Sequence, residues 1–393
     1  MNSQNSSQIK LLELENKFKT IFGCNSLGAY RTPARINLIG EHIDYNGGKV
    51  LPCAISYFMT GLYSLNKDKK IVAYSNNFDS KFSANLETIS YKKRNSWSNY
   101  VFGVFAILQQ EGYKITQGMN ILIDSNIPLG SGLSSSASLL DLVFFIANDV
   151  LKLEINLETI AKLAQKTENE FCGLKCGIMD QAAIALGQKN KAILLDCGKF
   201  KYEYKDMALR TYSFVVLKTN IPHNLVKSKY NERVDECNRA LEILKQKFNI
   251  DNLCQLYEYQ LPECEKLLND PILFKRVRHV VTENERVQQF SAAMTAGKVE
   301  EMGRLLCESH KSLKEDYEVT GDYLDTIVDA SMNAFAIGAR MTGGGFGGCA
   351  IALIKNRYFE DFRFRVDKEY FAKLKVHPDI EEVDIVDGPI KLK

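Results

Sequence analysis

The sequence predicts an α+β protein of two domains, and three observations carry that reading. Segments that alternate like strands come first, helical segments dominate the second half, and strands return near the end. That order segregates the element types instead of interleaving them, which argues against a doubly wound sheet. The length of 393 residues suits about two domains. An ordinary globular composition, 45% hydrophobic, supplies enough apolar residues for a sizeable core.

Taken in order, residues 9–22 carry apolar residues at helical spacing in a Lys/Glu-rich stretch and predict an amphipathic surface helix. Residues 35–40 alternate like a strand and stop at Gly40, and residues 49–55 and 70–74 read as further strands. Residues 97–109 are helical, and residues 118–124 form a strand that enters a Gly/Ser loop. A buried helix follows the loop, then an amphipathic helix over 157–171, a short helical run over 181–186 and a strand over 191–196. Residues 212–218 open the second half as a strand. Helices are expected over 229–247, 251–268, 274–296, 298–312 and 320–338, and Gly343–Gly345 lead into a strand over 349–354. The expected domains are residues 1–205 and 206–393. No repeat, low-complexity tract or long linker is present.

The net charge is +2 with acids and bases mixed, so nothing points to DNA or RNA as a partner. The polar N-terminus lacks the layout of a signal peptide, and the longest apolar stretch is too short and too interrupted to span a bilayer. Ten scattered cysteines form no framework. Cys172 and Cys176 are a weak zinc signature without a second pair, so reduced thiols in a cytoplasmic enzyme are expected.

The most informative stretch is residues 126–138, Asn-Ile-Pro-Leu-Gly-Ser-Gly-Leu-Ser-Ser-Ser-Ala-Ser. Gly130 and Gly132 remove side chains where a backbone must approach an anion, and Ser134, Ser135 and Ser136 add hydroxyls. Feeding a helix N-terminus, such a loop offers free N–H groups to phosphate; a flexible linker or an ordinary helix cap is the competing reading. It is not a Walker A motif, which is absent.

Glu41-His-Ile-Asp44 follows a strand end and precedes the turn Tyr45-Asn-Gly-Gly48. Two carboxylates and an imidazole there can hydrogen-bond several hydroxyls of one polyol, although turn capping by Asp44 or metal ligation by His42 and Asp44 would use the same residues. Arg35 offers a planar fork suited to phosphate oxygens, or is a surface arginine. Glu168 falls on the apolar stripe of its helix, where a carboxylate needs a partner: Mg²⁺, shared with a serine hydroxyl of the loop, or a nearby base. Asp180 stands before a short helical run, as a helix N-cap or as a catalytic carboxylate held by the turn at Gly177. Gly343-Gly-Gly-Phe-Gly-Gly348 is expected between a helix and a strand. The dinucleotide fingerprint needs the reverse order, so the glycines imply a backbone packed on a ligand or another loop.

Five segments in this order resemble the GHMP small-molecule kinases. Residues 35–48 are similar to the signature of the galactokinase family within that group, and residues 128–138 are similar to the phosphate motif. Met341-Thr-Gly-Gly-Gly-Phe-Gly-Gly-Cys349 is similar to the third motif, and Cys176-Gly-Ile-Met-Asp-Gln181 and Lys229-Tyr-Asn-Glu-Arg233 resemble further galactokinase segments. The resemblance implies a two-domain fold with the active site in the inter-domain cleft, D-galactose and ATP as substrates and Mg²⁺ as cofactor; a monomer is expected. Asp180 and Arg35 would be the catalytic pair. Glu41, His42, Asp44, Gly177, Asp180 and Tyr230 would line the sugar site. Gly130, Ser131, Gly132, Leu133, Ser134, Ser135 and Ser136 would hold ATP, Ser134 and Glu168 would hold Mg²⁺, and Trp97 would lie near adenine or else be a core aromatic. Ala34, where glycine is common, and Asp141, where glutamate is common, depart from the pattern. Related readings are a kinase of another monosaccharide, such as N-acetylgalactosamine or arabinose, and a non-catalytic sugar sensor.

Overall fold

The computed structural model describes residues 3–128, 130–207, 209–221 and 226–393; Leu129 of the Gly/Ser loop lies outside them. Helix α1 (Ser3–Phe22) precedes strands β1 (Gly28–Asn37), β2 (Lys49–Val50), β3 (Pro52–Asn66), β4 (Lys70–Ser75) and β5 (Ser80–Asn85). Helix α2 (Ser98–Gln110), strand β6 (Gly118–Ser125) and helices α3 (Ser135–Leu151), α4 (Leu157–Lys166) and α5 (Met179–Ala185) follow. Strands β7 (Lys191–Asp196), β8 (Lys201–Asp206) and β9 (Tyr212–Lys218) come next. Helices α6 (Val226–Leu244), α7 (Leu261–Leu268), α8 (Pro271–Thr295), α9 (Val299–Glu315) and α10 (Gly321–Asn333) lead to β10 (Gly338–Thr342) and β11 (Cys349–Lys355). Helix α11 (Phe359–Leu374), β12 (Asp379–Glu382) and β13 (Ile390–Lys391) complete the chain.

The described strands form three sheets: β13-β1-β3-β6-β4-β5, β10-β11-β9-β12 and β2-β7-β8. Described pairings are antiparallel except β4 on β6, as the segregated order predicts for an α+β protein. Helices α2 and α3 bury Phe102, Phe105 and Phe144 against Ile71, Ile121 and Met59 of the first sheet, in one apolar core that also takes in Leu305, Ile327 and Ile351 of the second half. No described helix is long and apolar enough to cross a membrane.

Several expected boundaries shift, each for a local reason. The strand expected over 35–40 ends at Asn37, and the one expected over 49–55 breaks at Leu51. Leu51 leaves the ladder because its N–H donates to the Ile39 carbonyl (3.1 Å) and its carbonyl accepts from the Leu38 N–H (3.1 Å), which pins the loop after β1. The helix expected over 251–268 is two single 3₁₀ turns followed by α7, which starts where Pro262 fits a first turn and could not fit an interior. The helix expected over 157–171 stops at Lys166 and continues as a π-turn, Thr167–Phe171. The glycine run Gly343–Gly348 joins two antiparallel strands, β10 and β11, instead of a helix to a strand.

Candidate active site

The site grows from the C-terminal end of β1. A register shift between Pro33 and Ala34 re-aims the strand one residue before Arg35. Arg35 is buried, and each arm of its guanidinium is engaged: Nε donates to Asp180 Oδ1 (2.8 Å), Nη2 to Asp180 Oδ2 (2.8 Å) and Nη1 to the Gly132 carbonyl (2.7 Å). Asp180 is not a helix cap. The cap position of α5 belongs to Ile178, and Asp180 sits in the first turn with its carboxylate turned to Arg35 and to the hydroxyl of Ser134.

The Gly/Ser loop has alternate residues in the left-handed region: Gly130 (φ 65°), Gly132 (φ 75°) and Ser134 (φ 63°). Successive N–H groups in such a loop converge on one side and form an anion nest at the N-terminus of the 17-residue helix α3. Ser134 occupies the cap position, yet its side chain makes no cap bond, because the hydroxyl is spent on Asp180. Ser131 Oγ donates to the Pro128 carbonyl (2.7 Å), and Leu133 is buried in the core, so these two shape the loop from behind.

Glu41 is almost wholly buried and its Oε1 is saturated. It accepts from the Gly343 N–H (2.8 Å) and Thr342 Oγ1 (3.1 Å), with Arg340 Nη2 at 3.0 Å. The glycine run therefore packs on both neighbours at once: a Cβ on Gly343 would lie 2.6 Å from the Gly132 carbonyl oxygen of the phosphate-type loop. Asp44 opens a 3₁₀ turn, Asp44–Asn46, and packs on Gly177, where a Cβ would lie 2.0 Å from its Oδ2. Burial, with the Asp180 charge adding to it, pushes the Asp44 carboxyl up to about 6. Tyr230, on α6, places its ring 5.3 Å from that of His42.

Glu168 is buried in the π-turn and accepts from Gln181 Nε2 (2.7 Å). Burial pushes it up to about 7, against a hydrogen bond with Ser136 and with the Asp180 charge adding to the rise. Asp141, the departure from the family pattern, is fully buried on α3, and neither of its oxygens has a hydrogen-bond partner among the described residues. Burial and then the charges of Glu168 and Asp180 push it well up. Glu168 and the hydroxyls of Ser134, Ser135 and Ser136 line one cavity as hard oxygen donors, which fits a Mg²⁺ ion that takes one or two protein oxygens plus phosphate and water, whereas Asp141 does not line it. Among the described residues no group of three or more His, Cys, Asp or Glu forms a metal cage.

These residues surround a cavity of about 430 Å³. Of the residues expected in the site, all but Ser131, Leu133 and Trp97 line it. Trp97 instead walls an adjoining apolar cavity of about 210 Å³ that shares Ser135 and Ser136 with the first. Its indole N–H donates to Ser80 Oγ (3.1 Å), and its ring is within 15° of parallel to Phe78, centroids 6.4 Å apart. Phe78, Arg340 and Tyr317 carried no signal of their own in the sequence: Phe78 and Tyr317 lie outside every motif, and Arg340 stands one residue before the third. The packing of Thr342 and Gly343 had a signal, the glycine run itself.

Residues 99–188 match the GHMP kinases N terminal domain and residues 290–371 the GHMP kinases C terminal domain, while residues 16–65 match the galactokinase galactose-binding signature. The chain is 42% identical to the galactokinase of Clostridium acetobutylicum over 384 residues, covering 96% of this chain and 98% of that one. It is 43% identical to that of Lactobacillus helveticus over 380 residues, covering 96% and 98%. The crystal structure of Lactococcus lactis galactokinase complexed with galactose superposes with a TM-score of 0.95 at 42% identity, covering 97% and 100% of the two chains. The Methanococcus jannaschii mevalonate kinase shares the fold, with a TM-score of 0.66 at 22% identity.

Proposed function

Because this chain belongs to the galactokinase family of the GHMP kinases, we propose that it transfers the γ-phosphoryl group of ATP to the C1 hydroxyl of D-galactose, giving galactose 1-phosphate and ADP. The observation that carries the reading is the Arg35–Asp180 pair, which stands where the Gly/Ser loop and the Glu41–Asp44 turn meet on one cavity. Phosphoryl transfer is mostly positioning and charge neutralisation. Asp180 orients the anomeric hydroxyl and accepts its proton, and Arg35 steadies charge on the moving phosphoryl. Gly130, Gly132, Ser134, Ser135 and Ser136 hold the phosphates through backbone N–H groups and hydroxyls. Trp97 and Phe78 are proposed to border the adenine. Glu41, His42, Asp44, Gly177 and Tyr230 receive the sugar.

Glu168 and Ser134 would hold Mg²⁺, which supplies positive charge to the β- and γ-phosphate oxygens when bound. The two domains are taken to divide near residue 205, at the end of strand β8. The ten cysteines form no disulfide among the described residues, and a cytoplasmic setting, where thiols stay reduced, is proposed.

The test is ADP release with MgATP against galactose, glucose, N-acetylgalactosamine and arabinose. Galactose is expected to exceed glucose by orders of magnitude, because a site built on substrate hydroxyls discriminates against an analogue that leaves its polar groups unmatched, by up to about 10⁴-fold. A faster rate with any other sugar of the panel overturns the assignment.

A further inference from the structure

His42 has its backbone in the left-handed region (φ 61°), an uncommon and costly state for a side-chain-bearing residue. Its ring is buried, lines the cavity and is the end of a hydrogen-bonded chain. His42 Nδ1 lies 2.9 Å from Tyr45 Oη, which lies 2.8 Å from Tyr317 Oη, which lies 3.1 Å from Cys237 Sγ. The other ring nitrogen, Nε2, is buried and makes no hydrogen bond of good geometry among the described residues, although the Gly344 backbone lies close enough to the ring to favour its protonated form.

The far end of this chain is built to stay in place. Arg233 Nε donates to the Tyr317 carbonyl (2.9 Å), and the Tyr317 ring packs 4.9 Å from His42 and 4.5 Å from His279. Tyr230, Arg233 and Cys237 follow one another on α6 at spacings of three and four, so one helical face serves His42 and Tyr317 together.

The direction of the chain follows from donor and acceptor strength. A phenol O–H is a good donor and an imidazole nitrogen a good acceptor, whereas a thiol is weak in both roles. Running from Cys237 through Tyr317 and Tyr45 to Nδ1 matches good donors with good acceptors; the reverse direction ends a phenol proton on sulfur. We propose that Tyr45 and Tyr317 are positioning residues that fix His42 in the tautomer with its proton on Nε2, which then donates to a hydroxyl oxygen of the bound sugar. This inference rests on the sugar-kinase reading above. Burial, together with the neighbouring His279, holds the His42 imidazole down to about 3, so the ring carries a single proton at neutral pH and its tautomer decides what it can bind.

The test is ¹⁵N NMR of the histidine rings in the ligand-free protein, alongside kinetics, for Tyr45→Phe and Tyr317→Phe. Both changes keep the ring packing and remove one hydroxyl. The parent is expected to show a bare Nδ1 and a protonated Nε2 for His42, and Tyr45→Phe a mixture of tautomers. KM for galactose should rise roughly three- to tenfold, the value of one hydrogen bond, with KM for ATP unchanged. A protonated Nδ1 in the parent, or parental tautomer populations in both variants whatever KM does, overturns the proposal. A parent that fails to phosphorylate galactose defeats the substrate assignment instead, while the nitrogen shifts still decide the tautomer.

Discussion

Arg35 and Asp180 meet edge to edge, with Nε on Oδ1 and Nη2 on Oδ2, each at 2.8 Å. Two parallel bonds fix the plane of the carboxylate as well as its position, which a single contact would not do. With the third arm on the Gly132 carbonyl, the same guanidinium ties Asp180 to the Gly/Ser loop.

That geometry separates two readings of Asp180. A capping aspartate tolerates asparagine, which caps about equally well. Asp180→Asn is expected to fold and to bind ATP, with kcat lower by about 10²–10⁴-fold, the usual cost of losing a general base. Arg35→Lys should also be costly, because an ammonium cannot form the two parallel bonds. Initial rates of ADP release and calorimetric ATP binding check both, and near-parental kcat in Asp180→Asn would remove the proposed base.

Gly343 and Gly344 should respond differently to alanine. Gly343 has φ 83° and backbone 2.6 Å from where its Cβ would stand, whereas the nearest atom to a Cβ on Gly344 is the Tyr230 ring at 3.4 Å. Gly343→Ala is expected to cost roughly 1–3 kcal/mol for the left-handed conformation, and more for the clash. Because Gly343 touches Gly132 and Glu41, it should also raise KM for both substrates. Urea denaturation and steady-state kinetics of the pair settle this; equal behaviour of the two variants would mean the loops are not in register.

Asp44 makes stability depend on pH in a stated direction. Its folded value, about 6, lies above the ordinary value of 3.8, so the folded state holds the proton more tightly. The stabilisation this brings is complete below about pH 4 and is lost as pH rises through 6. The stability of the parent relative to Asp44→Asn should therefore fall by on the order of 2–3 kcal/mol between about pH 4 and pH 7 in the absence of ligands. Urea midpoints at several pH values measure it. A flat difference curve would place Asp44 in an ordinary solvated environment.

Glu168→Gln should keep the fold and raise the Mg²⁺ concentration needed for half-maximal rate. Gln181 donates to Glu168, so the residue also has a purely structural partner. A Mg²⁺ dependence identical to the parent's would leave it that structural role alone.

The chemistry was more legible in the sequence than the contacts that hold it. Arg35, Glu41, Asp44, Glu168 and Asp180 could be singled out because polar residues beside glycines and strand ends break the apolar pattern. The partners of Glu41 could not. Arg340 lies in the fully buried strand β10, where the sequence suggested the end of a helix and a glycine loop. Periodicity also missed the π-turn at Thr167–Phe171, because a one-residue slip in helical register leaves the apolar stripe nearly intact while re-aiming Glu168. Tyr317 and Phe78 owe their places to pairings between distant segments, which no local pattern encodes.

The anchoring of Glu41 through Oε1 bears on any attempt to alter what this protein accepts. Its carboxylate holds the Gly343 backbone, and Gly343 in turn lies against Gly132, so residue 41 belongs to the scaffold of the nucleotide side as much as to the sugar side. Replacing it to admit a different sugar would loosen the loop that faces ATP. Asp44 and Tyr230, which no such bond ties to that loop among the described residues, are the positions where laboratory evolution is expected to change the guest while leaving the nucleotide side intact.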